Sequence, residues 1–124
     1  MGTRQYTILV VDDEDNIRWL YREELEEEGY IIADAASGEA ALEIVPEIKP
    51  DLVVMDIKMP GISGVDTLIR IKELDKDIPV ILCSAYGDYK QDFSTWASDA
   101  YVVKSASLDE LKKAIARVLS QRYE

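Results

Sequence analysis

The sequence predicts an α/β domain built on a five-stranded parallel sheet with helices on both faces. Short apolar runs recur that are continuous, not alternating, as strands buried on both faces require. Longer stretches with apolar residues at helical spacing lie between them. Such strand–helix alternation implies right-handed crossovers and a doubly wound (βα)5 arrangement. The length of 124 residues suits one domain over 1–124, with a core over about residues 6–121.

Tyr6–Val11 is the first strand, halted by Asp12 and Asp13. A helix follows over Glu14–Glu28, with Ile17, Leu20, Tyr21 and Leu25 on one stripe and Gly29 as its stop. Trp19 falls off that stripe. Tyr30–Ala33 is a short second strand. Ser37 caps a second helix running to about Ile48 through Ala40, Ala41, Leu42, Ile44 and Val45, and Pro46 is expected to kink or end it. Leu52–Met55 is the third strand. After the Pro60–Gly64 loop, Val65, Leu68, Ile69 and Ile71 mark a third helix that ends near Leu74.

Pro79–Cys83 is the fourth strand, ended by Ser84. Tyr89, Phe93, Trp96 and Ala97 form one helical stripe, which predicts a fourth helix over Asp88–Ala97. Ala100–Val103 is the fifth strand, stopped by Lys104. Ser107 opens a final helix along Leu108, Leu111, Ile115 and Val118 or Leu119.

Hydrophobic residues at 48% and charged residues at 31% give a soluble globular balance. A formal net charge of −11 argues against direct binding to nucleic acid or to an anionic membrane, whose phosphates would be repelled. The start, Met1 to Gln5, has no apolar signal region and no apolar run reaches membrane-spanning length, so the cytoplasm is the expected location. The single cysteine, Cys83, lies in an apolar run and is read as core packing.

In an open parallel sheet, ligands bind beyond the carboxyl ends of the strands. The residues just past strands one, three, four and five are Asp12 and Asp13, Asp56, Ser84, and Lys104. Each alone is simply the polar start of a loop. Together they are a complementary set. Crowded carboxylates disfavour joint ionisation, and a hard cation with oxygen ligands relieves the repulsion, which points to magnesium. A carboxylate can attack phosphorus to form an aspartyl phosphate, with the phosphoryl charge offset by a metal and a lysine. Asp56, on the central strand, is the best nucleophile; Ser84 could donate to one phosphoryl oxygen and Lys104 pair with another.

These elements, namely Leu9-Val10-Val11-Asp12-Asp13-Glu14, Met55-Asp56-Ile57-Lys58-Met59-Pro60-Gly61 with Gly64, Ser84-Ala85 and Tyr101-Val102-Val103-Lys104, resemble in order the receiver domain of a two-component response regulator. The resemblance covers essentially the whole chain. It implies a flavodoxin-like fold with strand order 2-1-3-4-5, and signal transduction through a phosphorelay. Asp56 would accept a phosphoryl group from a sensor histidine kinase or a histidine phosphotransfer protein. The chain would not be an enzyme beyond catalysing its own phosphorylation and dephosphorylation.

By the same resemblance Asp13 would be the direct Mg2+ ligand, Asp12 a mainly water-mediated one and the Lys58 backbone carbonyl a third, with Mn2+ as a substitute. Ser84 and Tyr101 would be a switch pair that signals to an effector protein or effector domain. Lys58 and Tyr86 would govern the access of water. The surface of the fourth helix, fifth strand and final helix, with Tyr89, Lys90 and Tyr101, would be the output face and the seat of a phosphorylation-dependent dimer. Trp19 is read as a surface aromatic or a kinase contact.

The chain departs from the family pattern at Ser105, where proline commonly follows the lysine, and at Ala97-Ser98, where Gly-Ala is usual. Two other readings share the fold. A pseudo-receiver would dock without phosphorylation, against which the complete acidic set speaks. A magnesium-dependent phosphohydrolase of the haloacid dehalogenase type wants Asp-x-Asp, and Lys58 occupies the second position.

Overall fold

β-Branched and leucine side chains in runs of four or five have one stable arrangement here, a sheet covered on both sides. A computed structural model describes residues 5–84, 98–104 and 107–124. Its strands are β1 (Thr7–Val11), β2 (Ile31–Ala35), β3 (Leu52–Asp56), β4 (Val80–Ser84) and β5 (Ala100–Val103). All pairings are parallel, in the order β2-β1-β3-β4-β5. Among the described residues the helices are α1 (Asp15–Glu27), α2 (Gly38–Ile48), α3 (Gly64–Leu74) and α4 (Asp109–Tyr123). None is long and apolar enough to cross a membrane. The helix expected over Asp88–Ala97, with Tyr89 and Lys90, lies outside the described residues, as do Tyr86 and Ser105.

Side chains alternate across each strand, and this divides the core into two layers. Ile8, Val10, Leu52, Val54, Ile81 and Cys83 face α1 and α4, where they meet Tyr21, Leu25, Leu111 and Ile115. Leu9, Val11, Val53, Met55, Val80 and Leu82 face α2 and α3, against Ala41, Val45, Leu68 and Ile71. Cutting a fully buried side chain such as Ile81 to alanine costs about 2–5 kcal/mol in settings of this kind. Burial pushes the Cys83 thiol up to about 12, so it stays a neutral packing group.

Several boundaries differ from expectation. β2 runs on through Asp34 and Ala35, because Val10 and Val11 of β1 offer them ladder partners. Strands β3 and β4 likewise include Asp56 and Ser84. Pro46 does not end α2: the helix continues to Ile48, and Lys49, in the left-handed region, closes it by donating to the Val45 carbonyl. A proline this near a C-terminus removes one bond and leaves the final turn to its neighbours.

Leu20 and Ile69, assigned to buried stripes, are exposed, since each helix packs only one narrow face on the sheet. Trp19 is 63% exposed, a surface aromatic. Ser37 and Ser63 cap α2 and α3 through hydroxyls that accept from Ala40 and Asp66 amides. Ser107 accepts from the Asp109 amide at 3.1 Å, although the helix itself begins one residue later than a cap there would place it.

Candidate functional site

The alternation that builds the two core layers also sorts the residues at the carboxyl edge. Asp12 and Asp56 continue the rows of Val10 and Val54, and Lys104 that of Val102, so all three emerge on the α1–α4 side. Ser84 and Tyr101 fall on the other side, Ser84 buried beyond Leu82 and Tyr101 half-buried against the α2–α3 core. Asp56 is in register with Cys83. The Ile57 amide donates to the Cys83 carbonyl at 3.0 Å, and the Lys104 amide to the Ser84 carbonyl at 2.6 Å. These bonds tie three strand ends together.

Lys104 is the hub of the cluster. Its Nζ lies 3.1 Å from Asp12 Oδ2 and 3.3 Å from Asp56 Oδ2. Asp12 is 2% exposed and its Oδ1 accepts from the Glu14 amide at 3.0 Å. Carboxylate oxygens of Asp12, Asp13 and Asp56 all lie within 4.8 Å of one another. Partial burial raises the pKa of Asp56, Lys104 works against that rise, and the nearby Asp12 adds to it. Burial would lower the pKa of Lys104, but Asp56 and Asp12 outweigh it, so the ammonium is held above its ordinary value. The lysine is therefore a permanent cation at the centre of a competing set of anions.

This donor set fits a hard divalent cation such as Mg2+: oxygens from three carboxylates converge, and one of them is buried where its charge needs a partner. Chemically, the arrangement offers one half-buried carboxylate on the central strand, a fixed ammonium beside it and further oxygens for a cation. The Lys58 amide points to Asp56 Oδ1 at a long 3.4 Å, and the Lys58 side chain is exposed.

A groove of about 620 Å³ beside the cluster is lined by Ile57, Lys58, Met59, Pro60, Ser63, Val65 and Asp66 and does not include Asp56. The Asp56 side chain itself, at the carboxyl end of β3, is 12% exposed.

Some supporting residues were invisible in the spacing. Gly64 packs so tightly on the end of β3 that a Cβ would sit 2.2 Å from the Asp56 carbonyl oxygen. Glu39 of α2 reaches the loop after β3, where its Oε2 accepts from the Ile62 amide at 3.4 Å. Arg18 of α1 donates to the Asp12 carbonyl at 2.6 Å. Only the Gly64 signal was in the sequence, through its place in the motif.

Residues 8–116 match the family model for the response regulator receiver domain. The chain is 40% identical over 114 residues to sporulation initiation phosphotransferase F of Bacillus subtilis, covering 90% of this chain and 92% of that protein. It is 50% identical to the response regulator protein TrrA of Thermotoga maritima, whose structure in complex with Mg2+-BeF superposes with a TM-score of 0.89 and is covered to 99% by 92% of this chain. A second structure holds TrrA in complex with the histidine kinase ThkA. It superposes with a TM-score of 0.87, again at 50% identity, with 93% of this chain and 99% of that one covered.

Proposed function

Since this chain belongs to the response regulator receiver family, whose members are phosphoacceptors in two-component signal transduction, we propose that Asp56 is its phosphoacceptor. The observation that carries this reading is the placement of Asp56 on the central strand, with Lys104 3.3 Å away and Asp12 and Asp13 close by. An Asp56 Oδ attacks phosphorus and forms the acyl phosphate. The phosphorus–nitrogen bond to the donor imidazole breaks, and its electron pair stays on the imidazole nitrogen.

Lys104 holds a positive charge where a phosphoryl oxygen arrives. Asp12, Asp13, Asp56 and the Lys58 carbonyl would hold Mg2+, which supplies charge neutralisation at the phosphoryl oxygens. Mn2+, with the same charge and a similar oxygen preference, serves as a substitute.

Ser84 and Tyr101 act as the switch pair. Both stand on the face opposite Asp56, so a Ser84 hydroxyl drawn toward the phosphoryl group frees space into which the Tyr101 ring turns. Lys58 and Tyr86 limit the access of water to the acyl phosphate. The donor is a histidine kinase or histidine phosphotransfer protein. The recipient of the signal is an effector protein or an attached effector domain, with a phosphorylation-dependent dimer formed through the β5–α4 face.

The test is incubation with MgCl2 and a small phosphodonor, followed by mass spectrometry. A single acyl phosphate on Asp56 is expected, absent with chelator. Rapid phosphate release without an adduct would favour a phosphohydrolase, and no reaction a passive docking module; either result overturns the reading.

A further inference from the structure

Arg18 touches the site without receiving anything there. Its Nη1 donates to the Asp12 carbonyl at 2.6 Å, its other nitrogen pairs with Asp15, and its Nε lies 3.6 Å from Asp34 Oδ2. The side chain is 15% exposed, so these contacts hold it in one conformation. The carbonyl that it grips belongs to the peptide unit joining Asp12 to Asp13. Because that unit is planar, fixing its oxygen fixes the direction in which the chain enters Asp13.

The Asp12 carboxylate is anchored independently by the Glu14 amide and Lys104. The Asp13 carboxylate takes up no hydrogen bond from the described residues. Among the described residues its aim is thus set through the backbone.

We propose that Arg18 is a positioning residue for the divalent cation, presetting Asp13 toward Asp12 and Asp56 by holding the peptide between the acidic pair. The inference rests on the reading that magnesium binds these carboxylates. Bulk electrostatics gives the opposite sign. A guanidinium beside an acidic cluster repels a cation, so its removal should tighten magnesium binding if charge were its whole effect. Positioning requires that removal weaken it.

The experiment is calorimetric titration of MgCl2 into wild type, Arg18→Met, Arg18→Lys and Arg22→Met, with Tm recorded for each in magnesium-free buffer. Arg22 is the control. It donates to the Ile32 carbonyl at 2.9 Å and lies 3.6 Å from Asp34, so its loss loosens the same contact between α1 and β2 without touching Asp12.

Arg18→Met is expected to bind magnesium about 10-fold more weakly, the lower end of what removing a ligand's supporting partner does. Arg18→Lys, which keeps charge and stem but loses the fork, is expected to weaken binding roughly 3-fold. Arg22→Met should stay within about twofold of wild type even where its Tm falls. Unchanged or tighter binding in Arg18→Met, or equal weakening in Arg22→Met, overturns the proposal. If Arg18→Met does not fold, unchanged affinity in Arg18→Lys overturns it. A wild type that binds no magnesium overturns the underlying reading, and this inference with it.

Discussion

At the amino end of the sheet Asp51 accepts from the Thr7 amide at 2.8 Å, and Asp99 accepts from the Val80 amide at 2.8 Å and from Lys72 at 3.0 Å. At the carboxyl end Asp12, Asp13 and Asp56 face one another across less than 4.8 Å, with Lys104 between two of them. The residue type and its position beside a strand are the same; the surroundings differ. Below, each aspartate meets a backbone donor before its strand begins, which ties loops to the sheet. Above, each strand delivers its aspartate toward other carboxylates. Asp12 and Asp56 also take a backbone amide, from Glu14 and Lys58, but their other oxygens meet only Lys104 and one another, and the fold bears the repulsion.

The contrast can be broken most severely at Asp56. Asp56→Asn should reduce phosphoryl uptake from a small phosphodonor to background while the circular dichroism spectrum stays unchanged. Asp99→Ala is the mirror experiment at the amino end. It should cost about 1–3 kcal/mol, the range for leaving a half-buried amide and its lysine without their acceptor, and leave the yield of acyl phosphate unchanged. Denaturant unfolding and mass spectrometry read the two effects separately, and a loss of phosphorylation in Asp99→Ala would erase the division between the ends.

Gly64→Ala joins structure to function, because its new Cβ would meet the Asp56 carbonyl oxygen, a backbone atom that cannot swing aside. Overpacking of this kind costs about 1–3 kcal/mol. Here it should also slow phosphoryl uptake, measurable as the initial rate of acyl phosphate formation.

Smaller effects sharpen the same comparison. Burial and then Asp12 raise the pKa of Asp56 against the pull of Lys104. In magnesium-free buffer near neutral pH its charge therefore opposes folding, and Asp56→Asn should raise Tm even as it abolishes function. At the other end, burial first and then Glu28 and Glu124 raise the pKa of Tyr30. The folded value exceeds the unfolded one, so this stabilisation is complete below the ordinary tyrosine pKa of about 10 and is lost as pH rises through the folded value. Wild type should thus lose Tm relative to Tyr30→Phe above about pH 10, and parallel curves would count against it.

The order of the described elements, the parallel sheet and the clustering of Asp12, Asp13, Asp56 and Lys104 were legible because each depends on local pattern: continuous apolar runs that stop at a polar residue. Their convergence needed the further rule that parallel strands present their carboxyl ends together. Leu20 and Ile69 were misplaced because periodicity marks a stripe without saying how wide a face the sheet will cover. The extension of β2 through Asp34 and Ala35 was equally hidden, since neither residue favours a strand by itself and only β1 supplies the ladder.

What the sequence by itself determined is therefore the doubly wound fold and which polar groups stand at the carboxyl edge of its sheet. The division of those groups between faces, with Asp56 and Lys104 on one side and Ser84 and Tyr101 on the other, came from the alternation of paired strands in register. The bond from Arg18 to the Asp12 carbonyl and the contact of Gly64 with the end of β3 belong to tertiary structure alone. Both depend on how a helix sits against a strand end, a distance set by packing the whole core and not written in the spacing of any one segment.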